Sequence, residues 1–394
     1  MLNHYFVDMH IHIGRDMDNK PVKITGAKSL TLTNVLKESS RNKGMGMIGV
    51  IDCHVPAVQH EINTLIQSGK AKELDGGGIR FEEVTLLLGS EIEIYDASSQ
   101  GPIHVLCFLP DLQRMAQFTE WLTQRMTNIN LSSQRYYGTG KELQYKVKEL
   151  DGIFVPAHVF TPFKSLYGKG VRKSLTEVFD PDLIDGIELG LSSDTTMADN
   201  LAELHAYPFL TNSDAHSLAK IAREYQAVKM DTPSFKEFLW ALHGVEGRGI
   251  TANYGMNPAL GKYHLTICNE CNQHTPADSI KCIHCRSTKI TKGVADRIQE
   301  LSDGRKNKKS RPPYFYQVPL EYIPYLGKKT YEKLLQKFNN EMNVIHKASQ
   351  VEMEEVIPSK IAKSIIQMRE GKLSIQAGGG GKYGKVISND TAPL

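Results

Sequence analysis

Short apolar runs recur through the first 261 residues of this chain, and most of them end in a histidine or a carboxylate where a turn residue would ordinarily stand. Tyr5-Phe6-Val7-Asp8 leads into His10 and His12, and Met47-Ile48-Gly49-Val50-Ile51 into Asp52 and His54. Residues 84–88 lead into Glu91, Ile103-His104-Val105-Leu106 carries His104, and Ile153-Phe154-Val155 leads into His158. Gly186-Ile187-Glu188-Leu189 leads into Ser192, Ser193 and Asp194, and Pro208-Phe209-Leu210 into Asp214 and His216. Amphipathic stretches at 32–42, 112–126, 198–205 and 234–243 fall between these runs, a β-then-α alternation. The pattern predicts an α/β fold, a parallel barrel whose mouth at the C-terminal strand ends collects the functional groups.

The residue types narrow the chemistry. His10 and His12 stand two apart on an extended segment, so both imidazoles point to one face and suit one ion. Ser213-Asp214-Ala215-His216 repeats the arrangement. Imidazoles mixed with carboxylates suit zinc, manganese or iron, and there are more such groups than one ion uses, so a cluster of two or three ions is expected. A single histidine of this kind is by default a satisfied core or surface residue; the coincidence at successive strand ends reverses that default.

Four of the six cysteines form Cys268-Asn-Glu-Cys271 and Cys282-Ile-His-Cys285, two C-x-x-C pairs with a ten-residue gap. This spacing predicts a zinc ribbon over 262–292 whose closed four-thiolate site is structural and leaves no position for a substrate. His274 and His284 stand nearby but are not needed as ligands, and Cys53 and Cys107 lie in apolar runs as core residues. Disulfides would require an oxidising compartment. The first eight residues lack a basic segment followed by an apolar run, and no apolar stretch approaches the ~20 residues of a membrane span, so an intracellular, cytoplasmic protein without membrane contact is expected.

The net charge of +3 hides a division at the same place. Residues 262–394 carry 22 Lys and Arg against 13 Asp and Glu, a net of +9, which leaves −6 on residues 1–261. A basic appendage on an acidic body points to an anionic partner for the appendage and metal ions for the body.

Asp8-Met9-His10-Ile11-His12, Asp52-Cys53-His54, Gly89-Ser90-Glu91, Pro156-Ala157-His158 and Ser213-Asp214-Ala215-His216 resemble, in order, the motifs of the PHP (polymerase and histidinol phosphatase) superfamily. The resemblance implies a distorted seven-stranded βα barrel over 1–261 that hydrolyses phosphoesters with up to three ions. It further implies that His10, His12, Glu91 and Asp214 hold the first ion, Glu91, His104 and His158 the second, and His54 and His216 the third. In the second motif Cys53 stands between the aspartate and the histidine, a departure from the family pattern. The third ion's remaining ligand is left open between Asp16, Asp18 and neither. Glu93 shares a strand face with Glu91, but the Gly-Ser-Glu context favours Glu91.

Beyond the ribbon, residues 293–313 form a polar, basic connector that includes Arg305, Lys306, Lys308 and Lys309 and closes on two prolines. Ile323-Pro324-Tyr325-Leu326-Gly327-Lys328-Lys329-Thr330 then opens an amphipathic helix over 331–338. It resembles the turn of helix-hairpin-helix modules, whose tight glycine turn and helix N-terminus offer N–H groups to a phosphate. A glycine-rich stretch around Lys382 adds charge and a permissive backbone to a C-terminal DNA-binding region over 314–394.

This order of parts looks like the endonuclease Q family. That resemblance implies a DNA-repair nuclease cutting double- or single-stranded DNA on the 5′ side of uracil, hypoxanthine, xanthine and abasic sites, beside replication and repair proteins. Its cofactors would be structural Zn²⁺ and two or three catalytic Zn²⁺, Mn²⁺ or Mg²⁺ ions. Catalysis would centre on Asp214, Glu91 and His10, with a hydroxide shared between ions attacking phosphorus to leave a 3′-hydroxyl and a 5′-phosphate. A flipped base would enter a pocket near the metals, with Phe160, Phe163 and Tyr167 available for stacking and Ser192 and Ser193 for polar contacts. The rivals are a PHP phosphatase for small phosphate monoesters, which leaves the basic third unexplained, and a non-catalytic DNA-binding protein.

Overall fold

The computed structural model describes residues 1–261, 263–305, 307, 309–376 and 384–387. The seven apolar runs each form a strand: β1 (Asn3–Ile11), β2 (Met47–Val50), β3 (Val84–Ile94), β4 (Ile103–Leu109), β5 (Ile153–Pro156), β6 (Ile187–Glu188) and β7 (Phe209–Leu210). Parallel ladders join β1 to β2, β2 to β3 and β6 to β7. Asp185 N and Val159 N donate to the carbonyls of Phe154 and Glu188 and so tie β5 to β6. His12 N and Ala215 N donate to the carbonyls of Ala215 and His10, which returns the chain after β7 to β1.

Three features depart from the expected parallel barrel of seven strands, the first being that β6 and β7 form a separate two-stranded sheet. The main sheet has eleven strands, because β8 (Tyr225–Met230), β9 (Gly249–Gly255) and β10 (Tyr314–Tyr316) extend it beyond β1 and three short strands attach around β3. The ladders β3–β4 and β4–β5 are antiparallel. Only residues 95–102 separate β3 from β4, fewer than the dozen or so that a parallel crossover needs, so the chain turns back as a hairpin. The beginning of β4 therefore lies beside the end of β3, and His104 stands in register with Glu93.

Alternation along the strands sorts side chains into two layers. Val7, Met9, Met47, Leu87, Leu106, Phe108 and Val155 fill one cluster, while Val105, Cys107 and Leu109 face a second with the surrounding helices. Phe108 is admitted by two glycines: a Cβ on Gly49 or on Gly89 would lie 2.8 Å from its ring. Helices Pro56–Gln67, Leu112–Thr123, Gly140–Glu149 and Phe235–Leu242 pack outside, the last three started by side-chain caps from Asp111, Thr139 and Ser234. The stretch at 198–205 gives no full helix, only the single turn Thr195–Ala198 and a 3-10 turn at Ala202–Leu204. Asp199 and Asn200 interrupt it, residues that favour caps and turns over helix interiors.

The basic third is fastened to this body. Ile267–Cys268 pairs antiparallel with Ile290–Thr291 to form the ribbon, and the stretch at 293–313 contains the helix Val294–Leu301. Arg297 donates to the carbonyls of Tyr167, Val171 and Arg172. Arg311 pairs with Asp199 at 2.9 Å and lies 3.8 Å over the Phe209 ring. β10 then joins β9 in parallel, and helices Lys328–Phe338, Glu341–His346, Gln350–Glu354 and Ser359–Arg369 follow. Glu341 meets Lys43 of the α/β body at 2.7 Å in a buried ion pair. Among the described residues no helix is long and apolar enough to cross a membrane.

Candidate metal centre and adjoining cavity

His10 and His12 leave β1 on one face, and the segment after β7 brings Asp214 against them. His10 Nε2 lies 3.4 Å and His12 Nε2 3.6 Å from Asp214 Oδ1. Glu91, near the end of β3, faces the same space, its Oε1 3.5 Å from His10 Nε2 and its Oε2 3.6 Å from His12 Nε2. On its other side Oε1 accepts from His104 Nδ1 at 2.7 Å and lies 3.4 Å from His158 Nε2. Two sets of ligand atoms result, His10/His12/Asp214 and Glu91/His104/His158, with all atoms of a set within 4.8 Å of one another.

The separations of 3.4–3.6 Å that His10 and His12 keep from Asp214 and Glu91 suit a shared metal better than hydrogen bonds, whereas the 2.7 Å contact of His104 Nδ1 with Glu91 is a hydrogen bond. The Nε2 atoms of His10, His12 and His104 are buried without a hydrogen-bond partner, an expensive condition for a polar atom. Two ligands bound at about 2.0–2.1 Å in a tetrahedron stand about 3.4 Å apart, close to the separations seen here. The donor set of imidazoles and carboxylates therefore fits divalent ions.

The opposite ring nitrogens are fixed from behind. His10 Nδ1 lies 2.9 and 3.1 Å from the two oxygens of Glu188, and His12 Nδ1 lies 3.2 Å from Asp52. His158 Nδ1 lies 3.1 Å from the Thr161 hydroxyl, which donates to a backbone carbonyl. An ionised carboxylate only accepts, so Nδ1 of His10 and of His12 carries the proton and Nε2 turns its lone pair toward the site.

Glu188 was not singled out as a site residue in the sequence, although an acid between Ile187 and Leu189 in a buried strand is itself a signal. It also accepts from His158 N and Asn212 Nδ2, both at 2.8 Å. Lys23, equally unmarked, donates to Glu91 at 3.1 Å, and Ser133 bonds the same carboxylate oxygen.

The electrostatics follow from this packing. Burial works against charge on His10, but Glu188 and Asp214 outweigh it and raise its pKa well above the ordinary value. Burial and the nearby Lys23 ammonium bring His12 down to about 4. Burial opposes ionisation of Glu91 and Asp214, yet His104 and Lys23 around the first and His10 around the second hold both well below the usual carboxylate range. Asp214 and His158 have φ of 46° and 32°, left-handed backbone that is uncommon outside glycine and marks a constrained site.

Other predicted residues are placed differently. His54 is buried, with Nε2 3.3 Å from the Leu131 carbonyl and Nδ1 unpartnered. His216 Nε2 lies 3.3 Å from Asp214 Oδ1. His54 and His216 do not form a third three-ligand set among the described residues. Asp18 points to solvent beside Lys20, and Asp16 spends one carboxylate oxygen on the backbone N–H groups of Asp18 and Lys20. Neither belongs to a three-ligand set among the described residues. Glu93 lies 3.6 Å from His104 Nε2 and 2.8 Å from Lys164, and despite its burial these neighbours lower its pKa to about 2.

A cavity of about 200 Å³ adjoins the metal centre, lined among others by His158, Phe163, Ser192, Asn212, Tyr263 and Tyr322. Phe163 and Ser192 thus face it, while Phe160, Tyr167 and Ser193 do not. Phe160 is buried and stacked on Tyr167, whose hydroxyl donates to Glu203, and Ser193 donates to the Leu189 carbonyl. Both serines lie in the turn after β6, where Gly190 has a φ of 72° and its carbonyl accepts from Ser193 N, so Ser192 faces the cavity while Ser193 is turned inward.

In the ribbon, Cys268 and Cys285 sulfurs lie 3.5 Å apart and those of Cys271 and Cys282 3.6 Å. Thiolates at about 2.3 Å from a tetrahedral zinc stand about 3.8 Å apart, so the four-cysteine cluster is sized for that ion. Backbone N–H groups of Cys271 and Glu270 pull the Cys268 thiol down to about 6. Cys53 and Cys107 are core residues whose thiols burial pushes up. Arg305 is exposed but pairs with Asp303 at 2.6 Å, and Lys309 is exposed. Gly327 precedes the helix Lys328–Phe338 with no side-chain cap, and Lys328 and Lys329 are exposed beside it. Lys306, Lys308 and Lys382 lie outside the described residues.

A family model described as PHP-associated matches residues 193–244. The uncharacterized protein YqxK of Bacillus subtilis (strain 168) is 53% identical over 381 residues, covering 97% of this chain and 98% of that protein. The crystal structure of PfuEndoQ, a lesion-specific endonuclease from Pyrococcus furiosus, superposes with a TM-score of 0.84 at 32% identity, covering 98% of this chain and 95% of that one. Endonuclease Q in complex with a 27-mer duplex substrate with an abasic lesion at its active site superposes with a TM-score of 0.83 at 31% identity, covering 98% of each chain.

Proposed function

This chain belongs to the endonuclease Q family, and we propose that it is a metal-dependent DNA-repair endonuclease. In this reading it hydrolyses the phosphodiester on the 5′ side of uracil, hypoxanthine, xanthine and abasic sites, leaving a 3′-hydroxyl and a 5′-phosphate. The observation that carries it is the pair of three-ligand sets on either side of Glu91, opening on a cavity beside them.

His10, His12 and Asp214 would hold one ion and Glu91, His104 and His158 another, with His54 and His216 left for a third. Divalent ions held there supply an acidified water and positive charge for the phosphate oxygens. The protein's part is orientation. Glu188 and Asp52 keep the Nδ1 protons of His10 and His12 in place, so that Nε2 of each ring is presented with its lone pair free. Glu188 also ties the first set to the second, because one of its oxygens accepts from His158 N.

The cavity would receive a base turned out of the stack, with Phe163 and Tyr263 as its aromatic wall and Ser192 and Asn212 as its polar groups. Unstacking costs a few kcal/mol, least for a mismatched or absent base, which favours lesions. The division of labour assigns cutting to 1–261, a zinc-held support to 262–292, and DNA contact to Arg305 and Lys309 in the connector 293–313 and to the N–H groups and lysines at 327–329 in the region 314–394.

One assay tests this. The protein with Mn²⁺ or Mg²⁺ is incubated with labelled duplexes carrying thymine, uracil, hypoxanthine or an abasic site at one position, beside a chromogenic phosphate monoester. Incision only 5′ to the altered position is expected. Monoester turnover alone would make the protein a phosphatase, and tight binding without cutting would make it a scaffold.

A further inference from the structure

The strand that brings Glu91 to the metals runs on toward solvent. Alternation puts Glu91, Glu93 and Tyr95 on one face. The short strand Arg135–Tyr136 lies parallel beside the end of β3, with Arg135 in register with Glu93, so Arg135 and Tyr137 neighbour Glu93 and Tyr95. The residues meet rung by rung. Ser133 bonds Glu91, Glu93 is taken by Lys164, and the Arg135 guanidinium lies between two rings, 5.0 Å from the centroid of Tyr95 and 5.1 Å from that of Tyr137.

The outermost rung is both open and firmly mounted. Tyr95 and Tyr137 are 42% and 59% exposed, although an Arg face already covers part of each ring. Arg135 Nη2 donates to the Tyr95 carbonyl at 2.8 Å, Tyr137 N donates to the Arg125 carbonyl at 2.8 Å, and Tyr136 between them is fully buried. The nearby acid Asp96 is turned to backbone, accepting from the N–H groups of Ser98, Ser99 and Gly140. Arg135 is thus left as the charge presented with the two rings.

We propose that Tyr95, Arg135 and Tyr137 form a nucleobase-stacking step that holds the DNA strand away from the cut, an inference that rests on the endonuclease reading. From Glu91 to Tyr95 the strand rises about 13 Å, at about 3.3 Å per residue. At about 3.4 Å per base step, this places the step about four nucleotides from the reacting phosphate. A planar cation between two aromatic faces offers stacking to any base and attraction to its phosphate, so the contact is tolerant of sequence. Nucleic acid is favoured over a protein partner because the step carries a cation and continues the same strand that serves the metal centre.

The test measures binding of fluorescein-labelled duplexes with a central abasic site, in Ca²⁺, by anisotropy, and incision of the same duplexes in Mn²⁺. Arg135→Ala and the double variant Tyr95→Ala/Tyr137→Ala are expected to weaken Kd about tenfold or more, with thermal midpoint and metal content unchanged. Arg135→Lys should keep the salt dependence of wild type but lose most of the affinity that Arg135→Ala loses. Duplexes trimmed to two base pairs on either side of the lesion should bind wild type and variants alike. Equal Kd for wild type and all variants on the long duplex, where wild type binds and cuts, overturns the stacking step alone. Failure of wild type to bind or cut any lesion duplex overturns it together with the endonuclease reading.

Discussion

Replacing Glu188 with glutamine tests the support behind the metal centre, a carboxylate that orients His10 and also borders the adjoining cavity. Its buried carboxylate bonds His10 Nδ1 through both oxygens and takes His158 N on Oε2 and Asn212 Nδ2 on Oε1. Glutamine keeps the volume but turns one acceptor into a donor. Whichever way the amide is turned, its NH₂ meets either His158 N–H or the Asn212 amide, and a buried donor left unpaired costs about 1–3 kcal/mol. Loss of an outer partner of a ligating histidine lowers metal affinity about 10–100-fold.

The readout is the Mn²⁺ concentration that half-saturates incision, expected to rise by that factor while excess Mn²⁺ restores most of the rate. The pH dependence should change with it. The folded pKa of His10 is raised well above its unfolded 6.5, so the paired His10–Glu188 arrangement adds stability below that value and loses it as pH rises through the raised pKa. Glu188 is lowered, because His10 and its other hydrogen bonds outweigh burial; its contribution is present above about 4.5 and fades as pH falls through its folded pKa. Metal and a second proton compete for His10 Nε2, and the raised pKa favours the proton. Mn²⁺ affinity should rise with pH through neutrality, and in Glu188→Gln, where His10 relaxes downward, that slope should flatten. An unchanged Mn²⁺ requirement and an unchanged slope would refute the positioning role.

Asp214→Asn is the better knockout of the first ligand set than alanine, because asparagine tolerates the left-handed backbone at this position; incision should fall about 10³-fold or more with circular dichroism unchanged. Cys282→Ser should release about one equivalent of zinc, read by elemental analysis, and expose the ribbon to proteolysis while the α/β body stays folded. Lys43→Met leaves Glu341 buried with the Tyr331 hydroxyl as its one side-chain partner among the described residues, and should cost about 3–5 kcal/mol in urea unfolding. Joint replacement of Lys43 and Glu341 should cost less than Lys43→Met alone.

Much of the α/β body was legible because its strands are short, buried and bounded by groups that do not belong in a core. Their direction was not, since a period of two reads the same both ways; only the length of the 95–102 segment carried that information. β8 and β10 escaped for other reasons. Tyr225–Met230 mixes Gln and Lys with apolar residues, and Tyr314–Tyr316 follows two prolines in a basic stretch that resembles a connector. In the site, residue type located the groups at strand ends, whereas orientation separated Ser192 from Ser193 and Phe163 from Phe160. Glu188 was hidden because an acid that serves another side chain leaves no spacing pattern of its own.

The antiparallel hairpin explains why one carboxylate can border both ligand sets. The first half of β3 lies in parallel register with β2, on the side of the sheet that continues to β1 and so to His10 and His12. Its second half lies antiparallel to β4, which presents the beginning of that strand, and hence His104, at the same level. Glu91 stands where the pairing changes hands. Were β4 parallel, its end at Leu109 and Pro110 would occupy the mouth, and His104 would be carried some five residues, about 17 Å, toward the closed end. The short 95–102 connection thus sets the antiparallel register that brings His104 beside Glu91.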